Sequence, residues 1–423
     1  MHVLILSHIN RLHLLSMRWF IFILLYIIID IYAFQAFKTL TKIQWIHYFY
    51  LVISLLVLAN LIYRIATMNP YRGFDIPTMF AMGLFLVLFV PKLLVVSFML
   101  IEDAIRLIVG LYDRYIAHEN TFSLPSRRKF ISGIALGLAA LPFLSLLYGM
   151  YKGKYRFRVL NYDLYFDDLP EAFEGYKITQ ISDIHSGSFD NHKKIEYAVD
   201  LVNQQQGDVI LFTGDLVNNI ATEMNGWQSL FSSLHAPDGV FSILGNHDYG
   251  DYVSWESKQA QAENLDQLKA IQRKMGWDLL LNEHRFIERN GERIAIVGVE
   301  NWGAGGFKKA GDVDIASKEL KSTDFKILMS HDPSYWTEKI KTHPKNFQLT
   351  LSGHTHGMQF GIEIPGVIKW SPVQYRYDTW AGIYEHGQRL INVNRGFGFL
   401  GYPGRVGIWP EITTIHLKRR ITR

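Results

Sequence analysis

The sequence predicts a helical membrane region followed by an α/β domain. The chain has 423 residues, which exceeds the ~250–300 residues at which one hydrophobic core stops growing. Long apolar runs are confined to the first third of the chain, and short β-rich runs alternate with polar, helix-compatible segments after residue 154. We therefore predict a membrane region over residues 1–152 and an α/β domain over residues 153–423.

Four charge-poor runs predict membrane-spanning helices, because ~20 apolar residues cross a bilayer. They are Trp19–Phe37, Trp45–Tyr63, Ile76–Ile101 and Phe130–Met150. Buried helices of a soluble domain are the alternative, which four such runs in one third of the chain disfavour. Asp30 and Lys92 lie inside these runs, and we favour an interior-facing structural pair, or snorkelling of the side chains to the interface, over a functional pair.

The charge distribution and the absence of cysteine each restrict what the protein can be. Residues 1–152 contain 13 Lys and Arg against 6 Asp and Glu, whereas the remainder contains 30 against 33. The basic excess therefore flanks apolar runs, as in membrane proteins, and nucleic-acid binding is disfavoured. The chain has no cysteine, which excludes disulfides and zinc–thiolate sites.

Basic residues near the last apolar run bear on orientation. Arg127, Arg128 and Lys129 precede this run, resemble an internal twin-arginine signal and should stay cytoplasmic. The four basic residues within 152–158 oppose this direction. We expect a multi-pass protein of the cell (inner) membrane with its α/β domain on the extracytoplasmic side. The segment Met1–Ser16 is expected to be an unstructured leader, unless Met17 is the true start.

The second half predicts alternating strands and helices of a layered α/β fold. The predicted strands are Tyr176–Ser182, Asp208–Thr213, Val240–Leu244, Arg293–Val299, Phe325–Ser330 and Phe347–Ser352. The predicted helices are His192–Gln205, Trp255–Met275 and Pro333–Lys341. Glycine-rich residues 391–410 indicate further strands and tight turns.

Polar residues follow five of the apolar runs at the point where each run stops. They are Asp183 and His185, then Asp215, then Asn246, His247 and Asp248, then His331, and finally His354 and His356. Carboxyl ends of strands meet in one crevice of an α/β sheet, so we expect these distant residues to lie together. A lone histidine is usually a core residue and Gly-Asp is usually a turn, so only the combination indicates a metal site.

The ligand types restrict the metals. Side chains two positions apart in an extended segment point the same way and can hold one cation, as in the pair of Asp183 with His185 and the pair of His354 with His356. Carboxylate, amide and imidazole groups without sulfur favour Mn, Fe or Zn over copper. A carboxylate can also bridge two ions held ~3.5–4 Å apart. The residues therefore predict a divalent metal site in which one carboxylate is able to bridge two ions.

The ordered blocks DIH, GD, GNHD, SHDP and SGHTHG resemble the calcineurin-like metallophosphoesterase superfamily over about residues 155–420. The membrane-anchored bacterial phosphodiesterases and the transmembrane proteins with a metallophosphoesterase domain are the most similar branch. The resemblance implies a four-layer α-β-β-α sandwich. It also implies two ligand sets that share Asp215, the first completed by Asp183, His185 and His356 and the second by Asn246, His331 and His354.

The resemblance further implies roles outside the ligand sets. His247 would donate a proton to the leaving oxygen, and Asp248 would orient His247 or hold its proton. Independently of the resemblance, Arg395 and Arg405 near the C-terminus are candidates for binding substrate phosphate, with surface arginines as an equally favoured alternative. Aromatic residues are dense in 375–380 and 397–402, for which we favour core packing over a pocket rim or a contact with the bilayer.

The predicted function is a membrane-anchored dinuclear-metal phosphoesterase that hydrolyses a phosphodiester or pyrophosphate. The bilayer is its predicted partner, and a phosphorylated lipid or cell-envelope molecule is its predicted substrate. One alternative is UDP-2,3-diacylglucosamine pyrophosphohydrolase activity in lipid A synthesis, which requires cytosolic access and so conflicts with the predicted orientation. A second alternative is a non-catalytic membrane-bound metal-binding or sensory protein.

Overall fold

The computed structural model describes residues 2–117, 125–364 and 366–420. The chain divides into two compact units. The membrane unit comprises Met1–Ala66 and Ala81–Leu147, and the α/β unit comprises Thr67–Phe80 and Tyr148–Arg423. The division thus falls at Leu147, a few residues before the predicted one, and the segment between the second and third spans groups with the α/β unit.

The membrane unit is built from helices α1 (His2–Leu40), α2 (Gln44–Ala66), α3 (Ile76–Tyr112) and α4 (Pro125–Tyr151). Each contributes a segment long and apolar enough to cross a membrane, which confirms the four predicted spans. These segments are Met17–Leu40, Gln44–Ala66, Ile76–Ile116 and Arg127–Tyr151. The backbone is helical from His2 onward, so the expectation of an unstructured leader is wrong for the described residues.

A buried ion pair joins three of these helices. Lys92 Nζ of α3 lies 2.6 Å from Asp30 Oδ1 of α1, and it donates to Ser54 Oγ of α2 at 2.7 Å. Tyr50 OH donates to the same Asp30 oxygen at 2.9 Å. Charges in hydrocarbon are costly unless they are paired and hydrogen-bonded, and here both conditions hold. This is the interior-facing pair that the sequence favours.

The α/β unit contains fourteen strands among its described residues. In the first half they are β1 (Arg158–Phe166), β2 (Lys177–Ile181), β3 (Val209–Phe212), β4 (Val240–Ser242), β5 (Asp278–Leu279), β6 (Glu283–Arg289) and β7 (Glu292–Gly298). In the second half they are β8 (Phe325–Met329), β9 (Leu349–Ser352), β10 (Ile362–Ile364), β11 (Ile368–Trp370), β12 (Gly382–His386), β13 (Arg389–Val393) and β14 (Glu411–Arg419).

These strands form two six-stranded sheets and one hairpin. The first sheet has the order β1-β14-β2-β3-β4-β5, the second has the order β12-β13-β9-β8-β7-β6, and β10 pairs with β11 alone. The helices of this unit are α5 (His192–Asn203), α6 (Gln228–Phe231), α7 (Lys258–Lys274), α8 (Val313–Ala316) and α9 (Ser334–Glu338).

The two sheets pack face to face over one apolar core, in which Leu211 of the first sheet and Ile296 of the second are fully buried. A second cluster joins α5, α6 and α7 to the outer face of the first sheet, with Ile195 and Phe212 at its centre. A third joins α8 and α9 to the outer face of the second sheet. The predicted four-layer α-β-β-α sandwich is therefore confirmed.

The predicted strands are present with ends shifted by one or two residues, and the predicted helix over 333–341 is shortened to α9. The pairing of β1 with β14 was not predicted. It places Arg158 beside Glu411 and Phe166 beside Arg419. Because these strands are some 250 positions apart, no local pattern indicates that they are neighbours.

Candidate dinuclear metal centre

The predicted site residues follow the carboxyl ends of five strands from both sheets. In the first sheet, β2 leads to Asp183, β3 to Asp215 and β4 to Asn246. In the second sheet, β8 leads to His331 and β9 to His354. Since the sheets face each other, loops from both meet at one edge of the sandwich.

The backbone at these residues is unusual. Of the ten described non-glycine residues with positive φ, five are predicted metal ligands. They are Asp183, His185, Asp215, His354 and His356, with φ between +50° and +71°. A non-glycine residue in this left-handed region costs about 1–3 kcal/mol, and such strain is concentrated at functional sites. The fold therefore holds the ligand loops in conformations that they would not adopt alone.

Two glycines make the close approach of these loops possible. A Cβ on Gly245 would overlap the carboxylate of Asp215, and a Cβ on Gly353 would overlap the side chains of Ser182 and Asp183. Both positions therefore require a residue without a side chain.

The predicted ligands form two groups. Asp183, His185 and His356 form one, and Asp215, His331 and His354 form the other. Within each group the ligand atoms lie within 4.8 Å of one another. Asp215 Oδ2 lies 3.1 Å from His331 Nε2 and 3.6 Å from His185 Nε2 of the other group. The Asp215 carboxylate thus lies between the groups, where a bridging ligand would be needed.

Asn246 joins the second group, since its Oδ1 lies 2.8 Å from His354 Nδ1. His331 Nδ1 lies 2.7 Å from the carbonyl oxygen of Thr213, which accepts its proton and turns Nε2 toward Asp215. Among the described residues, this Nε2 is buried and makes no hydrogen bond of good geometry, although Asp215 Oδ2 lies 3.1 Å away. A cation at this position would satisfy it, so the residues fit a bound metal ion.

The protonation states also suit cation binding. Burial lowers the pKa of His185 well below its usual range and also lowers the pKa of His354. Burial opposes ionisation of Asp215, but the neighbouring His331 and His247 nevertheless hold its pKa well below the usual range. For these two histidines and Asp215, the neutral imidazole and the ionised carboxylate are the states that bind metal ions. His331 differs, because the Asp215 charge outweighs burial and raises its pKa to about 10, so a metal ion would have to displace a proton from this ring.

His247 lies beside the two groups and belongs to neither. Its Nδ1 lies 2.7 Å from the carbonyl oxygen of Asn218, and its backbone N–H donates to Asp215 Oδ1 at 2.8 Å. The ring packs against Tyr252 with centroids 4.4 Å apart. Burial lowers the pKa of His247. The ring is thus fixed through Nδ1, which leaves Nε2 for proton transfer.

Among the described residues, the hydrogen bonds of the Asp248 carboxylate go to backbone groups and not to the ring of His247, which corrects the predicted orienting role. Its carboxylate instead accepts the backbone N–H groups of Leu216 and Gly245, each at 2.8 Å, and that of Asp215 at 3.0 Å. Burial and the Asp215 charge raise the pKa of Asp248 to about 7. Asp248 therefore joins the Asp215 loop to the Asn246 loop.

The two predicted substrate arginines are buried. Arg395 pairs with Glu363 and Glu411 at 2.5 Å each. Arg405 donates to the carbonyl oxygen of Gly398 at 2.6 Å, and its Nη2 lies 3.2 Å from His356 Nδ1. In the structure these contacts engage both side chains.

Several residues around the site were not predicted. Tyr377 OH lies 2.8 Å from His354 Nε2, and Asp332 Oδ2 lies 3.3 Å from the same nitrogen. Asn246 Nδ2 donates to Tyr252 OH at 2.8 Å. The available signals were the position of Asp332 directly after His331 and the aromatic cluster around Tyr377.

Two family models match the chain. One describes a probable calcineurin-like phosphoesterase transmembrane domain and matches residues 17–154, and the other describes a calcineurin-like phosphoesterase and matches residues 176–358. The chain belongs to the calcineurin-like metallophosphoesterases. The resemblance based on the five sequence blocks is thus confirmed, and the protein is a metal-dependent phosphoester hydrolase with a transmembrane region.

Similar proteins occur in bacteria and animals. An uncharacterized metallophosphoesterase of Bacillus subtilis is 29% identical over 69% of this chain and 98% of its own length. A Campylobacter jejuni metallophosphoesterase, also uncharacterized, is 24% identical over 94% of this chain and 97% of its own length. The Danio rerio transmembrane protein with metallophosphoesterase domain is 26% identical over 64% of this chain, and the match spans 60% of the Danio protein.

Asp215→Asn should lower the metal content of both groups, because it neutralises the one carboxylate that lies between them. Metal analysis of the purified full-length protein measures this loss. Asp324→Asn is the matched control, since Asp324 is a buried carboxylate that pairs with Arg293 at the opposite end of the strands. Equal metal content in the Asp215 variant and the control would contradict a bridging role.

Proposed function

We propose that this protein is a membrane-anchored dinuclear phosphoesterase that hydrolyses a phosphodiester or pyrophosphate of a lipid or cell-envelope molecule. In this proposal residues 1–152 anchor the enzyme and residues 153–423 carry the reaction. The position of the Asp215 carboxylate between two groups of ligands is the observation that carries the proposal. Such a site suits a substrate whose phosphorus carries two non-bridging oxygens that share negative charge.

The proposed first ion is held by Asp183, His185, Asp215 and His356, and the second by Asp215, Asn246, His331 and His354. When bound, a pair of divalent cations supplies an activated water and neutralises charge on the phosphate oxygens. The donor set of carboxylate, amide and imidazole supports Mn, Fe or Zn. Asp248 keeps two ligand loops in place through its backbone hydrogen bonds.

His247 is the proposed proton donor to the leaving oxygen. The Asn218 carbonyl accepts the proton on Nδ1, so the transferable proton is the one that Nε2 carries in the imidazolium form, which burial disfavours and the Asp215 charge favours. The Tyr252 ring restricts rotation of the imidazole from one side. A positioned donor of this kind contributes ~10²–10⁴-fold to rate.

The membrane anchor supports a lipid or envelope substrate, because it confines the enzyme to the surface where such phosphates are concentrated. The UDP-2,3-diacylglucosamine alternative requires the α/β unit to face the cytosol. Our proposal places this unit outside the inner membrane, on the basis of the basic residues at the start of α4.

His247→Asn should retain both metal ions and lose roughly 10²–10⁴-fold in turnover of bis-p-nitrophenyl phosphate with Mn²⁺, because the proton donor is removed and the ligands are not. His235→Asn is the matched control, since His235 is exposed outside the site. Near-wild-type turnover by the His247 variant would refute the donor role. A wild-type enzyme that holds metal and hydrolyses no phosphodiester would support the non-catalytic alternative.

A reporter fused to the C-terminus should be active only outside the cytoplasm, if the basic residues at 127–129 remain inside. Alkaline phosphatase and green fluorescent protein fusions make a suitable pair, because each is active in the compartment where the other is not. Fluorescence without phosphatase activity would overturn the proposed orientation and leave the cytosolic alternative as the favoured one.

A further inference from the structure

The β10–β11 hairpin has one apolar and one charged face. Its register pairs Ile362 with Trp370, Glu363 with Lys369, and Ile364 with Ile368. Since alternate residues of a strand point to opposite faces, the three isoleucines and the tryptophan share one face. Glu363 and Lys369 lie on the other.

The charged face of the hairpin is attached to the α/β unit. Glu363 Oε1 accepts a hydrogen bond from Arg395 Nη2 at 2.5 Å, and Lys369 Nζ donates to the carbonyl oxygen of Ala381. Ser371, directly after β11, donates through Oγ to the carbonyl oxygen of Gly357 at 2.8 Å. These bonds fix the hairpin with its charges toward the protein, the reverse of the usual arrangement at a water-exposed surface.

Much of the apolar face is exposed, because the described residues do not cover it. Ile362 is 49% exposed, Ile364 is 52% exposed and Ile368 is 42% exposed. Val367, in the connection between the strands, is 78% exposed. Four large aliphatic side chains this close together form a patch that soluble proteins normally cover.

The residues around the patch favour a lipid surface as its occupant. Tyr375, which is 80% exposed, and Trp370 supply phenol and indole groups, which prefer the headgroup level of a bilayer. Arg376 is an exposed cation beside them, whereas Glu363 lies on the opposite face of the hairpin and is paired with Arg395. Apolar side chains ringed by aromatic and basic groups are typical of segments that lie in the membrane interface.

We propose that the β10–β11 hairpin inserts its apolar face into the interface of an anionic bilayer. The hairpin follows directly after His354 and His356 in the chain, and the Ser371–Gly357 bond joins it to their loop. Insertion therefore brings the metal centre to the level of lipid headgroups. This last consequence rests on the proposed phosphoesterase function, whereas the insertion itself does not.

The test uses the cysteine-free chain, because one introduced cysteine carries the only label. Full-length Ile364→Cys is labelled with an environment-sensitive fluorophore and placed in nanodiscs of phosphatidylcholine and phosphatidylglycerol that contain spin-labelled lipid. Ile315→Cys is the matched control, since Ile315 is a 63% exposed isoleucine on α8 of the same unit. We expect strong quenching by the spin-labelled lipid at position 364 and little at position 315.

Quenching at position 364 no greater than at position 315 would overturn the proposal. A blue-shifted probe at position 364 that lipid does not quench, and that responds to protein concentration, would also overturn it and would assign the patch to a second copy of the chain.

A double variant, Ile364→Glu with Ile368→Glu, tests the catalytic consequence. It should keep wild-type turnover of bis-p-nitrophenyl phosphate and lose roughly tenfold or more on a bilayer-embedded phosphodiester, because interfacial binding depends on buried apolar area. Equal turnover of the embedded substrate by wild type and variant would contradict that consequence. If wild type hydrolyses neither substrate, the phosphoesterase proposal fails while lipid quenching still decides the insertion.

Discussion

The catalytic unit depends on one buried carboxylate, that of Asp215. Burial alone would favour its neutral form, yet the surrounding histidines keep its pKa low. Its backbone is left-handed, with φ at +61°, and its amide is held by Asp248. The buried charge and the left-handed backbone both lower the stability of the fold. The sandwich of two sheets and flanking helices supplies the rigidity that maintains them.

The same constraint explains why both sheets are needed. Asp183, Asp215 and Asn246 come from the first sheet, whereas His331 and His354 come from the second. Neither sheet alone could surround two ions. The shared core between the sheets, rather than any single loop, therefore sets the separation of the two groups of ligands.

The sequence predicted the parts of the site that have a local signature. Each proposed ligand lies within four residues of the end of an apolar strand, so it could be identified without knowledge of the fold. Contacts between distant segments had no such signature. The Asn218 carbonyl that holds His247 is a backbone group. Arg395 is paired with Glu363 and Glu411, which are far from one another in the chain.

The role of Asp248 was misassigned because a neighbour in sequence need not be a neighbour in space. The hairpin was also missed, since its two short strands resemble a core segment until their exposure is known.

The central claim is that a pair of cations shares the Asp215 carboxylate. Anomalous X-ray scattering from crystals of the full-length protein loaded with manganese measures this directly. The account predicts two peaks ~3.5–4 Å apart, one on each side of that carboxylate. A single peak, or peaks away from Asp215, would contradict it.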